Sequence, residues 1–115
     1  MDRKAKIRAY KETPRPMGVF RVRNVASGRW LIGRSVDLPA ALNRQRAQLR
    51  LGGHTNRALQ ADWNELGAEA FAFDVLDTLT RSDAPGYDPA DDLRALEAMW
   101  EERLTAEEVS RYDRK

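Results

Sequence analysis

The chain has 115 residues, 42% of them hydrophobic and 33% charged, with 20 Lys and Arg against 18 Asp and Glu. That length supports one domain with a modest core and excludes a doubly wound nucleotide-binding domain joined to a substrate domain. The absence of cysteine excludes disulfides, zinc–thiolate sites, iron–sulfur clusters and cysteine nucleophiles; no apolar run is long enough to cross a membrane and the charged N-terminal stretch lacks the apolar core of a signal peptide, so a cytoplasmic location is expected.

Residues 1–16 read as a basic arm in which Pro14 and Pro16 bar a helix. Residues 17–33 read as a hairpin. Phe20 and Val22 share one face of its first strand and Val19, Arg21 and Arg23 the other; Asn24 to Gly28 supply turn residues, and Trp30, Leu31 and Ile32 resume the pairing. A helix follows, capped by Asp37 with Pro39 in its first turn, its apolar side formed by Leu38, Ala41, Leu42 and Leu49 and its outer side by Arg44, Gln45, Gln48 and Arg50. Asn56 caps a second helix over about 56–66 that buries Leu59, Trp63 and Leu66. Residues 70–79 read as a third strand with Phe71, Phe73 and Val75 facing the helices, and residues 80–90 as a loop. The last helix, about 90–103, carries a stripe of Leu93, Leu96, Trp100 and Leu104, with Glu97 at its border. Thr105 and Glu108 have capping-box spacing for a final short turn, so 105–115 is expected to be a turn and tail. The expected fold is α+β: a small three-stranded, mostly antiparallel sheet flanked by helices, with Trp63 and Trp100 buried.

Charge divides along the chain. Residues 1–60 hold 14 Lys/Arg and 3 Asp/Glu, whereas 61–115 hold 6 and 15. The basic half contains 11 arginines, whose planar forks suit phosphate oxygens. Its partner is either a nucleic-acid backbone, met by Arg21, Arg23, Arg44, Arg46, Arg50 and Arg57, or the acidic half of the same chain. The acidic half also offers a surface to a protein partner. His54 is the sole histidine; it can act as a general base or phosphate donor, cap a helix, or sit idle on its loop, which is the expected reading from the residue alone. Glu97, at the edge of an apolar stripe, has the chemistry to hold a hard cation such as Mg²⁺ or Mn²⁺, and equally that of a solvated glutamate. No phosphate-binding glycine loop and no serine nucleophile elbow is present.

Gly18-Val19-Phe20 and Leu31-Ile32-Gly33, with Asn24 and Gly28 between them, resemble the two signature strands of the GIY-YIG nuclease family. The stretch Gly53-His54-Thr55-Asn56, then Leu59-Gln60, Trp63, Gly67, Phe71, Phe73, Val75 and Leu76, resembles the phage and bacterial branch, and Glu97 three residues before Trp100 matches the family's metal-binding glutamate. The resemblance spans about 17–104. It implies DNA strand cleavage with one divalent metal on Glu97, assisted by two tyrosines, an arginine and often a histidine. The departures fall on that machinery: the tyrosine positions are Phe20 and Leu31, and the arginine position is Ala41. Both phenols and one guanidinium are missing, and acid–base help is worth about 10²–10⁴ in rate. Three readings follow: a divergent nucleic-acid-binding protein, on DNA or RNA, with weak or no cleavage and at most weak metal binding; a working metal-dependent endonuclease with rearranged groups; and a protein-binding scaffold. The residues by themselves leave open whether the chain is an enzyme.

Overall fold

The computed structural model describes residues 15–82, 84–107 and 111–112, so most of the N-terminal arm and Glu108 lie outside the described residues. Strands β1 (Gly18–Asn24) and β2 (Trp30–Ser35) form a hairpin; helices α1 (Leu38–Leu51) and α2 (Arg57–Leu66) follow; a short 3-10 turn (Ala68–Ala70) leads into β3 (Phe71–Thr78), and α3 (Ala90–Ala106) comes last. The sheet has the order β2-β1-β3 with both pairings antiparallel. β1 is therefore the central strand and is covered on both faces: Val19, Phe20 and Val22 are all buried.

Local chemistry explains these elements. Asn24 closes the hairpin by accepting the backbone N–H groups of Ala26 and Ser27 on its Oδ1. Asp37 caps α1 by accepting from the Ala40 N–H, with Pro39 in the first turn, and Asn56 caps α2 by accepting from Leu59. Two glycines are required by close approach. A Cβ at Gly18 would lie 2.0 Å from the Asp77 carbonyl oxygen of β3, and one at Gly33 would lie 2.5 Å from the Phe20 ring. The β1–β3 pairing depends on the first gap and the seat of the Phe20 ring on the second.

Strand alternation gives the sheet two distinct faces. Phe20, Val22 and Leu31 face α1 and α2, where one apolar cluster joins Val22, Leu49, Leu59, Phe71 and Tyr112 and a second joins Phe20, Leu38 and Ala41. Val19, Arg21, Ile32 and Arg34 lie on the face crossed by α3.

Several expectations need correction. Trp63 and Trp100 are only half-buried; Trp30 is the tryptophan deep in the fold. Trp100 sits at a polar boundary because its indole Nε1 donates to Asp77 at 3.1 Å. Leu66 and Val75 are exposed, although Phe71 on the same face of β3 as Val75 is buried. Gln45 turns inward toward His54 rather than outward. Thr105 caps no new turn: it lies within α3 and its hydroxyl donates back to the Glu101 carbonyl. Beyond that helix, Arg111 makes a parallel bridge to Trp30, and the Tyr112 N–H donates to the Trp30 carbonyl at 2.7 Å. The segment read as a tail thus contributes a fully buried tyrosine to the core.

Candidate functional site

Glu97 is more deeply buried than its neighbour Leu96, so the helix face toward the sheet is set by Leu93, Glu97 and Leu104. Its carboxylate accepts from Arg34 Nη1 at 3.1 Å. Arg34 stands on β2 directly opposite Val19, on the face that α3 crosses. Beside the pair, at the β2 edge, is a recess of about 250 Å³ lined by Leu31, Ile32, Glu97, Arg111 and Tyr112. Two of the singled-out positions, Leu31 and Glu97, therefore meet there.

Phe20 and Ala41 meet elsewhere. They are buried together with Leu38 beneath α1, and Leu42 packs against them. Carbon fills both positions, and the adjoining recess of about 330 Å³ is lined by Leu38 and Leu42 together with Asn43, Arg46 and Thr78.

His54 belongs to a third group. Its Nδ1 accepts from the Asn56 N–H at 2.9 Å, which assigns the ring proton to Nε2, and Nε2 contacts Gln45 Oε1 at 2.5 Å. The His54 N–H donates to Gln60 Oε1, and Gln60 Nε2 donates in turn to the Leu49 carbonyl at the end of α1. Burial holds the imidazole pKa below its ordinary 6.5. Both ring nitrogens are engaged in tying α1 to α2, which favours the capping role over that of a base.

The six arginines separate as well. Arg44, Arg50 and Arg57 are exposed along α1 and the start of α2. Arg46 is half-buried with its guanidinium 4.6 Å from the Phe73 ring centroid. Arg46 and Arg50 are one helical turn apart and share a side; Arg44 points away from both. Arg21 and Arg23 lie half-buried on the α3 face, Arg21 paired with Asp74 at 3.4 Å, and the Nε of each is buried without a hydrogen-bond partner.

Sequence reasoning missed two groups. Arg34 carried no signal beyond being a charged residue in a strand. Tyr112 did carry one, as an aromatic residue in a strongly charged stretch. Its hydroxyl donates to Asp62 at 2.6 Å and accepts from Asn24 Nδ2 at 3.1 Å, and Arg29 lies over its ring while pairing with Asp62. Burial, followed by the Asp62 hydrogen bond, pushes the phenol pKa up to about 12.

The residues present do not fit a resident divalent cation. Among the described residues no group of three or more His, Cys, Asp or Glu side chains comes together, so a hard cation on Glu97 would have one carboxylate and would depend on water and substrate phosphate for its other ligands. The carboxylate on offer already bonds a guanidinium, so a metal there would face a positive charge at close range. No helix among the described residues is long and apolar enough to cross a membrane.

No family model matches the sequence, and no curated protein matches it. Solved structures do match the fold. The catalytic domain of the homing endonuclease I-TevI superposes with a TM-score of 0.68 at 20% identity, over 86% of this chain and 98% of that one. A variant of the same domain with a glutamate replaced by alanine gives 0.67 at 18%, over 85% and 92%. At such identity the likeness is one of fold, and the α+β architecture expected from the sequence is the one observed: that of a GIY-YIG endonuclease catalytic domain.

Proposed function

We propose, from the fold shared with the I-TevI catalytic domain, that this protein binds nucleic-acid backbone, DNA foremost, and hydrolyses phosphodiesters slowly or not at all. One observation carries the reading: carbon stands at Phe20, Leu31 and Ala41, where the family resemblance implies two phenols and a guanidinium, and Phe20 and Ala41 are buried in an apolar cluster with Leu38. Without those groups no proton acceptor and no phosphate clamp stands at these positions, and hydrolysis loses about 10²–10⁴ for acid–base help alone. Binding has no such requirement. The exposed Arg44, Arg50 and Arg57 suit phosphate oxygens, giving salt-dependent and largely sequence-independent association.

The test pairs two assays. Duplexes of unrelated sequence should bind with similar affinity and lose it as salt rises; affinity that is flat with salt would end the reading. Supercoiled plasmid with Mg²⁺ or Mn²⁺ should stay essentially uncut. Rapid nicking that Glu97→Ala abolishes would replace this reading with that of a working endonuclease. Restoring chemistry through Phe20→Tyr, Leu31→Tyr and Ala41→Arg must be done together, since groups acting as a unit are non-additive. The Ala41→Arg change also has to open the Phe20–Leu38 cluster.

A further inference from the structure

The site beside the β2 edge contains a positive charge of its own. The Glu97 side chain is 12% exposed, and a carboxylate so far removed from water needs a cationic partner. Arg34 provides it at 3.1 Å, while the Arg34 side chain itself is 42% exposed. The guanidinium is thus shared between the buried carboxylate and solvent. An arginine fork presents five N–H donors in one plane, enough to bond a carboxylate on one side and a phosphate on another. Its neighbours are less accessible: Arg111 at the recess, paired with Glu101, is 28% exposed, and Arg21 on the same sheet face, paired with Asp74, is 20% exposed.

We propose that Arg34 is the built-in cation of this site: Glu97 aims it, and it holds a backbone phosphate of nucleic acid directly, with no divalent ion between them. The inference rests on the nucleic-acid reading above and adds the contact point and its independence of metal. Glu97 is a positioning residue in this scheme, acting on the phosphate through Arg34.

The experiment measures fluorescence anisotropy of a labelled mixed-sequence duplex with the intact chain, in EDTA and in Mg²⁺, across a salt series. Wild type should bind in EDTA at least as well as in Mg²⁺, which itself competes for the phosphates. Arg34→Ala should weaken binding roughly tenfold, as expected for a charged hydrogen bond, and flatten the log–log salt dependence by about one phosphate contact. Glu97→Gln removes the competing anion while keeping an acceptor for Arg34, so it should tighten binding a few-fold; it also carries the test should Arg34→Ala fold poorly. A merely structural pair would leave the salt slope unchanged, and a metal site would make Glu97→Gln weaken binding. Either result, or a wild type that binds only with Mg²⁺, overturns the proposal. The double variant Arg44→Ala/Arg50→Ala separates the two claims. Weakening there with none in Arg34→Ala leaves the nucleic-acid reading standing and removes Arg34 from it. Absence of wild-type binding at low salt removes both.

Discussion

The two faces of this sheet come from the same alternating strands and are chemically unlike. Toward α1 and α2 the strands present Phe20, Val22 and Leu31, and the interface is apolar, closed by polar knots around Tyr112 and His54. Toward α3 the strands present arginines beside the buried Val19 and Trp30, and the polar contacts are Arg21–Asp74 and Arg34–Glu97, with the Trp100 indole on Asp77 nearby. Both faces supply cohesion. The α3 face also keeps charge near the surface, where a ligand can reach it. The positions at which the resemblance implies catalytic groups are divided between the two, Phe20 and Ala41 on the dry side and Glu97 on the ionic side.

The contrast can be broken most severely on the dry face. Leu59 is fully buried within the larger cluster. Leu59→Ala should cost about 2–5 kcal/mol in denaturant unfolding; a loss below about 1 kcal/mol would show a loosely packed face. Tyr112→Phe keeps the ring and removes the bridge to Asp62 and Asn24. It should cost about 1–3 kcal/mol. The phenol also sets a pH signature. Its folded pKa of about 12 lies above the ordinary 10, so its stabilisation is complete below pH 10 and is lost as pH rises through 12. The phenylalanine variant should lack that alkaline component in equilibrium melts.

On the ionic face the expected effects shrink. Arg34→Ala should cost about 1 kcal/mol, because solvent screens the half-exposed guanidinium, and much of that should return in Arg34→Ala/Glu97→Ala; a cycle without coupling would show that the pair contributes nothing. The smallest effect belongs to His54. Its pKa is lowered by burial, so the unfolded chain takes up the proton first: stability present above pH 6.5 should decline as pH falls below it, levelling off once the folded pKa is passed. His54→Gln should flatten that acid slope, and a slope that persists would assign it to other groups.

Local signals make most of the fold legible in the sequence. Asp37 with Pro39, Asn56, and the Asn24–Gly28 turn act within a few residues of themselves, and each starts or closes the element expected of it. What escapes is decided at long range. Glu97 is buried more deeply than Leu96 because of an arginine 63 residues earlier. Val75 fits an inward pattern and shares its face of β3 with the buried Phe71, yet it is exposed, because the helices cover only part of that face. His54 reads as a candidate base in isolation, and only the meeting of Gln45, Asn56 and Gln60 shows both nitrogens occupied. Arg34 and Tyr112 escape for the same reason: their partners are on other elements.

The Tyr112 clasp has a consequence for how the chain is made. Asn24 and Tyr112 are 88 residues apart, and the tyrosine fills space between Val22, Leu49, Leu59 and Phe71. During synthesis the hairpin and both following helices emerge while that space is still empty and the buried Asn24 amide lacks its phenol partner. Such distant contacts form late. Until the segment around Tyr112 joins the fold, the chain therefore carries an unfilled core and an open seam along β2, the state in which this protein is most exposed to proteases and to unintended strand pairing.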